Sequence, residues 1–168
     1  MLTKSCLFIL LLSPVAATAG ENLSPLFDAY HELQTALAGD DLQAAKSATS
    51  KLQTETNNVK GTSLTTAIQP VWKKQSDHLS MAIKQAGAAN DLKGVRKSFE
   101  HISMAMIALS KVAKPDGFQE YRCPMAFNNK GANWLQKGEK TANPYYGSSM
   151  LRCGGPVKAK HHGHNHDH

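Results

Sequence analysis

Two short words of this sequence each set a cysteine close to a methionine. They are Cys123-Pro124-Met125 within "YRCPMAF" and Met150-Leu151-Arg152-Cys153 within "SSMLRCG". Thiolate and thioether are soft donors. Together they select Cu(I) and the chemically similar Ag(I), whereas Zn(II) sites use Cys, His and carboxylate. The same two cysteines could instead close a loop of about thirty residues as a disulfide, worth roughly 3–4 kcal/mol on the loop-entropy model. A disulfide leaves Met125 and Met150 without a role, and the two states could alternate with redox conditions.

Two further words pair imidazole with thioether: "HLSM" at 78–81 and "HISM" at 101–104. Each places His and Met at i and i+3, neighbours on a helix surface. His78 and His101 are candidate partners for the cysteine pair, with Met81 and Met104 as secondary ligands. The competing assignment makes Met81 and Met104 core filler with the histidines at its edge. The tail "HHGHNHDH" adds His161, His162, His164, His166 and His168. Such a tract gathers metal with little geometric demand. Its interruption by Gly163, Asn165 and Asp167 distinguishes it from an uninterrupted purification tag.

The elements that must position these residues come in three stretches. Residues 1–19 read as a secretory signal: Lys4, then the short apolar run "CLFILLL", then Ala17-Thr18-Ala19 at a small-residue cleavage site. That run is too short to span a bilayer, and Cys6 would leave with it. The mature chain is then expected to start near Gly20, in an exported and therefore oxidising compartment, with Cys123 and Cys153 as its cysteines. Residues 20–115 carry helical periodicity. Ser24 is a candidate N-cap before Pro25, and Leu26, Tyr30, Leu33 and Leu37 share one face. Asp40 or Asp41 caps a second helix ending near Asn57 and Asn58. Pro70 opens or kinks a third, with Trp72, Leu79, Ile83 and Ala86 on one stripe. The fourth has the cleanest pattern, from Leu92 through Val95, Phe99, Ile102, Met106 and Leu109 to Ala113. Short connections predict an all-α chain, an antiparallel four-helix bundle. Residues 116–157 lose this periodicity and are expected to pack on the bundle as an irregular segment, with one helical turn over Ala132 to Gln136. Residues 158–168 form the His-rich tail.

The longer words "LFDAYHELQTALAGDDLQAAKSATSKLQTE", "VRKSFEHIS", "YRCPMAFNNKGANWLQ" and "NPYYGSSMLRCG" together resemble a domain family of unknown function. That family occurs alone in the periplasm or fused to adaptor subunits of copper/silver efflux pumps of the CusB type. The resemblance implies a helical periplasmic domain associated with copper handling, with an efflux adaptor or another copper-handling protein as partner. "YRCPMA" is also similar to a heavy-metal word, Y-x-C-P-M-H-P, in which Ala126 here replaces the histidine. The third ligand is therefore open, with His101 or His78 as substitutes. No adaptor portion accompanies these words, so the chain is not expected to be a pump subunit.

Several classes are excluded or disfavoured. The net charge of +6 is scattered over helical polar faces, and the 7% aromatic residues do not alternate with basic ones, against a nucleic-acid surface. No Gly-rich phosphate loop or recognisable nucleophile signature occurs, so an enzyme is not expected. The reading that results is a periplasmic protein binding Cu(I) or Ag(I) that sequesters copper or delivers it to an efflux or resistance partner. The alternatives are a disulfide-stapled envelope interaction module without metal, and a copper redox protein.

Overall fold

A computed structural model describes residues 22–157. The expected signal segment and the His-rich tail lie outside the described residues. Four long helices fill the first part: α1 (Ser24–Ala38), α2 (Leu42–Asn58), α3 (Gln69–Ala88) and α4 (Leu92–Ala113). Their ends follow from local chemistry. The Asp41 side chain accepts from the Ala44 N–H, and Asp91 accepts from Gly94 N–H, each satisfying a donor the first helical turn leaves open. Pro70 sits in the first turn of α3, where its missing N–H costs nothing. Lys114 takes a left-handed conformation and ends α4 just before Pro115. Ser24 is not a cap but the first residue of α1. Asn22 Oδ1 accepts from both its N–H and its hydroxyl, so the capping oxygen lies two residues earlier than expected.

The helices pack in chain order, α1 on α2, α2 on α3 and α3 on α4. The apolar stripes read from periodicity are the core: Leu26, Tyr30, Leu33 and Leu37 of α1, Leu52 of α2, Leu79 and Ile83 of α3, and Val95, Phe99, Ile102, Met106 and Leu109 of α4 are all essentially inaccessible. Each such side chain contributes roughly 1.5–3 kcal/mol by leaving water.

The all-α expectation needs correction. Residues 116–157 are not irregular: β1 (Phe118–Cys123), β2 (Ala132–Lys137) and β3 (Gly155–Pro156) form an antiparallel sheet in the order β2-β1-β3. The helical turn expected over Ala132 to Gln136 is a strand. Its residues pair with β1 in register, Trp134 opposite Tyr121 and Ala132 opposite Cys123. The physical reason is the link between the strands. Phe127, Asn128, Asn129 and Gly131 all adopt positive φ, reversing the chain within a few residues. The stretch "FNNKG", within the segment expected to be irregular, is thus a turn. The sheet joins the helical core directly. Trp134, Tyr121 and Tyr145 are buried with Phe99, their rings in successive contact. Tyr30 of α1 bridges three elements: its hydroxyl is 2.8 Å from the Ser103 hydroxyl of α4 and accepts from the Leu135 N–H of β2 at 2.9 Å.

Candidate metal centre

Cys123 is the last residue of β1, and Cys153 stands two residues before β3. Because β3 pairs with β1 through Arg122 opposite Gly155, the sheet carries Cys153 back to the end of β1. The two sulfurs are 3.1 Å apart as free thiols in hydrogen-bond contact. Cys123 is fully buried and Cys153 half-buried, so the pair is open to solvent from one side only.

Close approach of the two backbones requires Gly154. It lies at φ 104°, and a Cβ there would stand 2.5 Å from the Arg122 carbonyl oxygen and 3.1 Å from Cys123 Cα. Asn143, completely buried, latches the Cys153 loop. Its side-chain N–H donates to the Cys153 carbonyl at 2.9 Å, its Oδ1 accepts from Tyr145 N–H, and its own N–H donates to the Leu151 carbonyl. A polar side chain this deep is tolerated because its donors and acceptor find partners. The Tyr146 hydroxyl donates to the Met125 carbonyl at 2.7 Å, fixing the other cysteine word to the same loop. At its far end, this loop is moored to the helices. Asp40 accepts from Ser148 N–H and pairs with Arg96 at 2.5 Å, while Arg96 also donates to the carbonyls of Leu37 and Pro144.

The thiol electrostatics follow from this contact. The hydrogen bond with Cys123, followed by partial burial, pushes the Cys153 thiol above its ordinary value, while a hydrogen bond from the Met125 backbone opposes the shift. Cys153 is therefore protonated at neutral pH unless an oxidant or a cation displaces the proton.

The fold joins the two cysteine words but distributes the other candidates. Met125 is 44% exposed, with its backbone bonded to the Cys153 thiol, and the half-buried Met150 offers the carbonyl that accepts from Cys153 N–H. His78 and Met81 are exposed on α3, and His101 and Met104 on α4. Among the described residues no three His, Cys, Asp or Glu side chains are placed to hold a metal ion together. Further donors at the cysteine pair would thus be thioethers or an external ligand. Met81 and Met104 are not core filler; Met106 is the buried methionine of α4. The residue reading missed Gly154, Asn143 and the Asp40–Arg96 pair. Asn143 had a local signal, since an Asn preceding Pro marks a turn; the Arg96 contacts span from 48 to 59 residues and had none.

A family model described as a protein of unknown function (DUF3347) matches residues 26–117. The match covers more than half of the chain, spans all but the first residues of the helical part, and stops at the edge of β1. No curated protein and no solved structure matches the chain.

Proposed function

The chain belongs to this family of unknown function, and from that premise we propose that it is a periplasmic protein binding a soft monovalent ion, Cu(I) or Ag(I), through Cys123 and Cys153. It sequesters copper or hands it to an efflux or resistance partner, without enzymatic turnover. The observation that carries the reading is the 3.1 Å separation of two free thiols at the ends of β1 and the Cys153 loop. A disulfide needs about 2.05 Å. Two thiolates on one tetrahedral ion with bonds of about 2.3 Å stand about 3.8 Å apart. Each state lies within about one ångström of the structure, and the buried Cys123 offers a fixed donor while Cys153 rides on a loop. The thioethers of Met125 and Met150, two and three residues from the cysteines in sequence, would add the soft character that favours Cu(I) over Zn(II).

The same distance supports a second reading, a disulfide-stapled interaction module. Competition against a Cu(I) chelator decides between them, using the reduced intact protein, the chain lacking residues 158–168, and the Cys123→Ser/Cys153→Ser variant. The metal reading expects the truncation to lower the number of ions bound while keeping the tightest site, and the double serine variant to lose that site. Tight binding that survives double substitution but vanishes with the tail would move the metal role to the tail. No tight binding of Cu(I) or Ag(I) by the reduced intact protein would leave the stapled module.

A further inference from the structure

We propose that His78, Met81, His101 and Met104 form a second soft-metal site on the outer face of the α3–α4 pair, one that uses no thiol and remains competent when Cys123 and Cys153 are oxidised. It does not rest on the cysteine reading.

The first observation is a repeat. "KQSDHLSM" at 74–81 and "KSFEHISM" at 97–104 share the pattern K-x-x-[D/E]-H-[L/I]-S-M, one copy on each helix. The second is exposure. The described residues include four exposed large apolar side chains, and Met81 at 58% and Met104 at 64% are the most open of them. Large apolar side chains kept in water contribute no packing, so their placement at matching repeat positions calls for another use.

The third observation is orientation. At about 100° per residue, Gly87 lies on the opposite side of α3 from His78. Gly87 faces α2: its carbonyl accepts from Lys46 Nζ, and Thr49 lies beside it. His78 therefore points away from α2, at the edge of the buried stripe that carries Ala82. Ser103 lies roughly 200° round α4 from His101, and Ser103 meets Tyr30 of α1. His101 therefore points away from α1, at the edge of the buried stripe that carries Ser98 and Ala105. α3 packs closely on α4, and the residues one turn from the imidazoles, Ala82 on α3 and Ser98 and Ala105 on α4, are small and buried. The pair is tight where the helices join, since a Cβ on Gly94 would come 2.9 Å from that of Ala89. His78 and His101 each lie about eleven residues from that junction, so antiparallel helices bring them to one height. Met81 then lies nearer the junction and Met104 farther from it, one thioether on each side of the imidazole pair.

The chemistry follows from the donor set. Two imidazoles alone hold an ion weakly, and no third His, Cys, Asp or Glu completes a site here among the described residues. Thioethers complete it only for a soft ion. The acceptable ligands are Cu(I) and Ag(I), not Zn(II).

Silver(I) tests this without redox chemistry, using the chain from Gly20 to His168, which lacks Cys6, carrying Cys123→Ser and Cys153→Ser and 15N-labelled histidine. Imidazole resonances are assigned with His78→Gln and His101→Gln. The site predicts that His78 and His101 shift together at one Ag(I) concentration, that His78→Gln removes the His101 response, and that Met81→Leu and Met104→Leu each raise the concentration needed severalfold. The tail histidines report their own binding at separate resonances. Responses confined to the tail, different midpoints for His78 and His101, or affinity indifferent to both leucine substitutions would each overturn the proposal. All four side chains are exposed, so these variants should fold. With the cysteines absent, failure of the thiol site can neither mimic nor hide the result.

Discussion

At the scale of single residues, the Cys123–Cys153 contact brings two thiols together, where oxidation, proton loss and the proposed metal binding would act on the same pair of atoms. The folded Cys153 thiol holds its proton more tightly than an ordinary thiol, chiefly through Cys123. A group whose folded pKa is raised contributes stability that is complete below the unfolded value and disappears as pH rises through the folded one. The window here opens near pH 9, the ordinary value. As pH rises above about 9, the reduced protein should therefore lose stability more steeply than Cys153→Ser, as read from urea midpoints of both. Parallel pH profiles would show that the thiol contact contributes nothing. Gly154 is equally local: at φ 104° against the Arg122 carbonyl, it permits the approach that a side chain would prevent.

At the scale of elements, the sheet and helices are joined by side chains rather than by the chain's own continuity. Tyr30 is the main rivet. Burial holds its hydroxyl far above the usual phenol range, so it is a neutral hydrogen-bonding group at every working pH. It stacks on Phe99 with centroids 5.3 Å apart and accepts the Leu135 N–H. Tyr30→Phe keeps the ring but leaves that N–H and the Ser103 hydroxyl short of a partner. The expected loss is about 1–3 kcal/mol, seen as a lower urea midpoint with an unchanged slope. A midpoint equal to wild type would mean that water replaces the hydroxyl.

For the whole molecule, the Asp40–Arg96 pair connects the end of α1, the first part of α4 and the loop that carries Cys153. Hydrogen bonds from Ser148 and Arg96 lower the Asp40 carboxyl to about 2, from an ordinary 3.8. A depressed carboxyl stabilises above its unfolded value and loses that contribution as pH falls, here between about pH 4 and 2. The Asp40 side chain is one-third exposed, so solvent screens the pair and the effect is about 1 kcal/mol or less. Asp40→Asn, which tolerates the positive φ at this position, should be less stable than wild type at pH 6 and equal to it at pH 2. A gap that persists to pH 2 would assign the loss to shape rather than charge.

The helices were legible in the sequence because their signals are local. Buried residues recur every three or four positions, and Asp41, Asp91 and Pro70 act within one turn of where they stand. The candidate metal residues were legible as types, since a soft donor set is a property of side chains. The sheet was not. In "FQEYRC" and "ANWLQK" the alternation is short and masked, because Leu135 and Gln136 are buried alongside Trp134, the first as part of the apolar core and the second bonded to the Lys140 carbonyl and Ala142 N–H. What makes them strands is pairing across a left-handed turn, a non-local event. Whether Cys123 meets Cys153 likewise depended on β3 joining β1, on Asn143 reaching across ten residues to the Cys153 carbonyl, and on Arg96 holding a loop 48 residues away. Composition and periodicity determined which atoms could bind a soft ion and which segments were helical. Only the tertiary structure decided which donors stand together, because long-range pairing and satisfaction of buried polar groups are set by the completed fold.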